Sequence, residues 1–91
     1  MEISDKIIQA KGLSESAKNE INIIIKQIEL KGVLTMQDFR HQLCQRLSGL
    51  FASLIFLLKV STMELNSMLR NGEIKSEILP ELFATYELNL S

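Results

Sequence analysis

The sequence is poor in almost every residue type that marks a reactive site. Of its 91 residues, one is cysteine, one is histidine, one is proline, none is tryptophan, four are glycine, and aromatics make up 5%. A lone cysteine excludes an intrachain disulfide, and with a single histidine beside it the chain cannot complete a tetrahedral zinc site. One proline and four scattered glycines exclude a linker protein or a low-complexity chain. Each glycine stands alone where a helix should end, so no phosphate-cradling loop is present and no cofactor is expected. The formal net charge is −1 and there is no long basic run, so the electrostatic footprint of a nucleic-acid-binding protein is missing. The most apolar run, Leu50 to Leu58, is closed by Lys59. It is about half the length a helix needs to span a bilayer, and no membrane span is expected. No secretory pattern opens MEISDKIIQAKG, and a reducing, cytosolic setting is the expectation.

What is present reads as helix throughout. The chain is 46% hydrophobic and 23% charged, an ordinary globular balance. A domain of this size buries only about 60 to 65 per cent of its unfolded surface, so homo-oligomerisation would be a natural supplement. Ile3, Ile7 and Ile8 make a weak lead-in helix within residues 1–13, short enough to fray, and Gly12 ends it. Residues 14–91 then form a single helical domain. Ser14 caps a second helix whose stripe is Ala17, Ile21, Ile24, Ile25 and Ile28, and Gly32 stops it. Thr35 and Asp38 have capping-box spacing and open a helix over 36–47. Its inward set is Met36, Phe39, Leu43 and Leu47, with Asp38, Arg40, Gln42 and Gln45 toward water. Ser48-Gly49 then bends the path.

On the following helix Leu57, Leu50, Leu54, Leu58, Phe51 and Ile55 cover an arc of roughly 160°, opposite Ala52, Ser53 and Lys59. Phe56 projects among the polar set, where a monomer would expose it, and is the candidate protein-interface residue. Ser61 and Glu64 make a capping box for a helix over 62–70 that buries Leu65, Met68 and Leu69, and Asn71-Gly72 ends it. Ser76 opens the last segment. Because Pro80 is tolerated only near a helix start, its regular part begins as late as Leu79, with Ile78, Leu79, Leu82, Phe83 and Tyr86 inward. No strand alternation and no internal repeat appear. The expected fold class is all-α: a compact bundle of four to five short helices around a central apolar helix at about residues 50–59. Phe39, Leu43, Leu47, Leu50, Leu54, Leu58, Leu65 and Leu69 are its expected core.

Chemistry is sparse. His41 and Cys44 sit three residues apart, a spacing that can place both on one helix face, but nothing orients the histidine as a base and no further cysteine or histidine exists to complete a zinc site, so neither a metal site nor a catalytic dyad is supported. The acidic residues fall at caps and solvent positions, and no general acid-base motif joins them. Met36, Met63 and Met68 read as packing residues. The stretch LLKVSTMELNSMLRNG imitates a helix-turn-helix, with Thr62, Met63, Asn66, Ser67 and Arg70 on the outer face of its second helix. Only Arg70 is basic, Glu64 would repel phosphates, and Lys59 stands where glycine usually makes the tight turn.

Gln27-Ile28, Lys31-Gly32-Val33, Gln37-Asp38-Phe39-Arg40, Gln42-Leu43, Leu47-Ser48-Gly49-Leu50-Phe51, Val60 to Leu65, Met68-Leu69, Asn71-Gly72 and Leu79-Pro80-Glu81 occur in an order with a known counterpart. Over residues 24–84 the chain resembles the amino-terminal domain of phage tail tape measure proteins. That family shows a lysine-glycine turn, an EELR-like helix start, a leucine-proline-glycine corner, an apolar helix, a glycine-valine-threonine/serine turn leading to glutamate-leucine, a glycine turn and a late leucine-proline. Ser48 replaces the corner proline and Lys59 replaces a glycine, so both turns are expected to differ. Members of the family continue in long helices that set tail length. A single helix of this chain's length would reach only about 135 Å, too short for a ruler. The resemblance implies a non-enzymatic structural or assembly module of a tailed phage, or a prophage remnant. Its partners would be tail proteins or other copies of itself, in the bacterial cytoplasm or the virion tail. The alternatives are a helix-turn-helix DNA-binding regulator and a small helical adaptor.

Overall fold

The computed structural model describes residues 1–90. Six helices follow one another: α1, Asp5–Lys11; α2, Glu15–Lys31; α3, which winds as a π-helix over Met36–Leu43 and closes as one α-turn, Cys44–Arg46; α4, Leu50–Leu58; α5, Thr62–Arg70; and α6, Leu79–Leu88, entered through a 3₁₀ turn at Ser76–Ile78. There is no strand among the described residues; a single bridge between Val33 and Lys75 joins two loops. Leu34 N–H donates to the Ile74 carbonyl and Ser76 N–H to that of Gly32, both at 2.9 Å. No single described helix is long and apolar enough to cross a membrane.

The caps act where the sequence places them. Ser14 accepts from Ala17 N–H and Thr35 from Asp38 N–H. Ser61 and Glu64 complete both halves of their box, at 3.0 and 3.1 Å, which satisfies two amides that the helix leaves open. Gly12, Gly32 and Gly72 take left-handed backbone at helix ends. The regular part of α6 begins at Leu79 with Pro80 in its first turn.

The bundle has two layers. α2 packs mainly on α3, and α4 mainly on α6. Ile21, Ile24, Ile25 and Ile28 of α2, Phe39 and Leu43 of α3, Leu50 and Leu54 of α4, and Leu79, Leu82 and Tyr86 of α6 belong to one continuous core. The Cα radius of gyration is 12.3 Å, in line with about 12 Å for a compact chain of this length.

The lead-in is tied to this core. Ile3 and Ile7 are buried in it, Ile3 N–H donates to Asn22 Oδ1 at 3.0 Å, and Ser4 Oγ meets the Glu87 carboxylate. Among the expected core residues only Leu58 is half-buried.

Five residues are placed differently from what the periodicity predicts. Asp38 is only 3% exposed. In the π-helix, bonds run between residues five apart, as from Cys44 N–H to the Phe39 carbonyl. Asp38 and Leu43, also five apart, therefore share one inward row. Its carboxylate is held by Lys31 Nζ at 2.6 Å, an opposite charge that offsets the cost of burial. Ser53, expected outside, is buried between α4 and α6. Arg40 and Gln42 are half-buried instead of fully wet. Met63, expected to pack, is 81% exposed.

Lys59 is the only described non-glycine residue with positive φ, at 57°. It closes α4 through its N–H to the Ile55 carbonyl at 2.8 Å, the task for which glycine is suited because a Cβ is strained in that region. Lys59→Gly is expected to raise the urea-unfolding free energy by about 0.5 to 1 kcal/mol. Leu54→Ala, which opens a cavity at a fully buried position, is expected to lower it by about 2 to 5 kcal/mol in the same measurement.

Candidate protein-contact surface

α4 carries no charged residue, so its solubility depends on what covers it. One side lies on α6. The nine residues turn through two and a half helical turns, which leaves Phe51, Ile55, Leu57 and Leu58 half-buried and Phe56 72% exposed. Burying a phenylalanine is worth about 1.5 to 3 kcal/mol, and Phe56 forgoes that gain in the isolated chain. Ile23, also exposed, stands instead in a polar hollow with Lys18, Asn19, Asn22, Lys26 and Glu29.

Phe56 forms one rim of a shallow groove of about 350 Å³ whose other walls are Lys11, Ala52, Tyr86 and Leu90. A second hollow of about 440 Å³, lined by Arg40, His41, Cys44 and Phe51, shares Gly49 and Ala52 with the first. The two run together across the outer side of α4. Small residues make the shared floor because α4 starts from a tight corner. Gly49 has φ +92°, and Tyr86 Oη donates to the Ser48 carbonyl at 2.7 Å. A Cβ at Gly49 would lie 3.6 Å from Tyr86 Cε1, an ordinary contact, so glycine is required there by backbone conformation and not by space.

Two cations lie against aromatic rings in this groove. Lys11 Nζ is 5.6 Å from the centroid of Tyr86 and Arg40 Cζ is 3.6 Å from that of Phe51, both within reach of the ring's negative face. Burial pushes the Tyr86 phenol above its ordinary value, against the pull of the Lys11 ammonium. Neither aromatic contact is legible in the sequence: Lys11 and Tyr86 come from the first and last helices, and Arg40 meets Phe51 only because of the way the chain turns between α3 and α4.

The His41 and Cys44 pair does reach a common hollow. Burial, opposed by the Arg40 guanidinium, pushes the Cys44 thiol up to about 12. A thiol held in its neutral form at pH 7 is a poor nucleophile and a poor metal ligand. Among the described residues no three His, Cys, Asp or Glu side chains gather where they could hold a metal ion.

The outer face of α5 is mixed. Thr62, Met63, Ser67 and Arg70 are exposed, as is Glu64, but Asn66 is half-buried and its Oδ1 has no hydrogen-bond partner among the described residues. α4 and α5 meet at 95°.

At pH 8, alkylation of Cys44 by iodoacetamide is expected to be a hundredfold or more slower in the native protein than in the urea-unfolded chain, because only the unfolded thiol ionises appreciably there. Equal rates in the two states, read by mass spectrometry, would remove the assignment of Cys44 as an inert packing residue. Comparison with family models, with curated proteins and with solved structures finds no match to this chain.

Proposed function

We propose that the protein is a non-enzymatic structural module of a tailed phage or prophage, acting through protein contacts in tail assembly or persisting as a prophage remnant. The reading rests on the ordered resemblance of residues 24–84 to the amino-terminal domain of tail tape measure proteins. The observation that carries its contact role is Phe56: a large aromatic, 72% exposed on an uncharged helix beside an open groove. Single exposed apolar side chains are common, Leu30 being 78% exposed, but Phe56 adjoins Ala52, Tyr86 and Leu90 in an open groove, and contiguous apolar surface of that kind marks interaction sites.

A helix-turn-helix regulator is the second reading, favoured by the 95° crossing of α4 and α5. Against it stands the face α5 would offer to a groove, where Arg70 is balanced by Glu64 and Met63 is exposed. Specific DNA binding draws much of its strength from several phosphate contacts and is steeply salt-dependent. A gel-shift titration with duplex DNA is expected to show no complex at physiological salt. A complex that weakens with salt and is lost in Arg70→Ala would replace the structural reading with the regulatory one. Phe56→Asp is expected to leave the helical circular dichroism unchanged while raising solubility and reducing association in sedimentation velocity. Unchanged sedimentation and solubility would remove Phe56 as the contact residue.

A further inference from the structure

The charged side chains that line the groove on α4 are of one sign. Lys11 and Arg40 line it and no aspartate or glutamate does; Lys59, three residues after Phe56, lies outside the lining and is exposed. Bulk composition does not explain this, because the chain as a whole has a formal net charge of −1. Between the cations lie Phe51, Ala52, Phe56, Tyr86 and Leu90, a floor of the kind that accepts an apolar helix face.

We propose that this groove binds an amphipathic helix of a partner protein whose apolar face is flanked by acidic residues. The proposal rests on the protein-contact reading above and adds the chemistry of the partner. Phe56 would insert between the partner's apolar side chains, and Lys11, Arg40 and Lys59 would pair with its carboxylates. The Lys11 and Arg40 heads are free to do so while stacked, because a ring face contacts the cation from one side and leaves N–H donors pointing away. A second copy of the chain docked symmetrically, groove on groove, fits less well: a two-fold axis brings each patch against itself, setting cations opposite cations, so self-association through Phe56 is expected to be weaker than binding of the acidic helix.

The test uses the full chain and two fluorescein-labelled peptides predicted to be helical, with leucine at i, i+3, i+4 and i+7 and either glutamate or lysine at the flanking positions. Fluorescence anisotropy at 50 mM salt is expected to show the glutamate peptide binding at least tenfold more tightly than the lysine peptide, with the gap closing as salt rises. Lys11→Glu is expected to reverse the preference or reduce it at least tenfold, and Phe56→Ala to weaken binding of the glutamate peptide by a similar factor. Circular dichroism of each variant confirms that the fold is retained, and Lys26→Glu, in a separate hollow that shares no residue with the groove, serves as the charge control. Equal binding of both peptides, no binding of either, or an equal effect of Lys26→Glu would overturn the proposal. So would stronger retention on vesicles containing phosphatidylserine than on the glutamate peptide, which would make the groove a lipid surface. If neither peptide binds yet Phe56→Asp still changes sedimentation, the acidic-partner inference fails while the contact reading stands. If Phe56→Asp changes nothing either, both fail.

Discussion

The hydrogen bond from Tyr86 to the Ser48 carbonyl, at 2.7 Å, is the constraint on which the arrangement of the two layers depends. α3 packs with α2 and α4 packs with α6, and the chain passes from one pair to the other through a corner that Gly49 turns with left-handed backbone. A buried phenolic hydroxyl needs a partner, since leaving one unpaired costs about 1 to 3 kcal/mol. Tyr86 finds it in the corner itself. The same ring that fills the core between α4 and α6 therefore also sets where α4 begins, and it forms a wall of the groove on the outer side. In the tape measure domains proposed as this chain's counterpart, a proline stands where this chain has Ser48. Proline would stiffen the corner through its ring; here the stiffness comes instead from a side chain 38 residues away.

Helix existence, helix ends and most of the core were readable because they depend on near neighbours. The isoleucine stripe of α2, the capping boxes and the glycine stops all follow from spacing within about one turn. Three kinds of feature were not readable. Leu34 and Ile74 are core residues contributed by loops, where no period exists to mark them. Asp38 is buried because α3 winds with five-residue registry, and a 3.6-residue wheel assigns it to the wrong side. Ser53 lies at the edge of the apolar arc of α4, and whether it faces in or out is decided by where α6 sits. Phe56 could be singled out from the sequence because α4 is short and its stripe is wide, so an aromatic left outside the arc has nowhere to hide. The groove beside it could not, as its walls come from α1, α3, α4 and α6.

Lys59 shows how a local rule is overruled. The turn after α4 demands a residue with positive φ, and the sequence supplies lysine at a site suited to glycine. The conformation holds because the backbone bond from Lys59 to Ile55 and the complete Ser61–Glu64 box fix the chain on both sides of it. A residue in this region costs of order 1 kcal/mol or more, a noticeable fraction of a small domain's stability. What the lysine adds in exchange is a charge one turn beyond Phe56.

That exchange bears on how the groove is to be understood. Lys11 and Arg40 each stack on a ring that belongs to the core or borders it, so they hold the fold and carry the charge of the surface at once. An alanine at either position would remove both contributions and could not tell them apart. Charge reversal at Lys11 loses the contact with the Tyr86 ring along with the positive sign, whereas Lys59 can be altered in charge without losing either cation–ring contact. The two effects are therefore separable at Lys59.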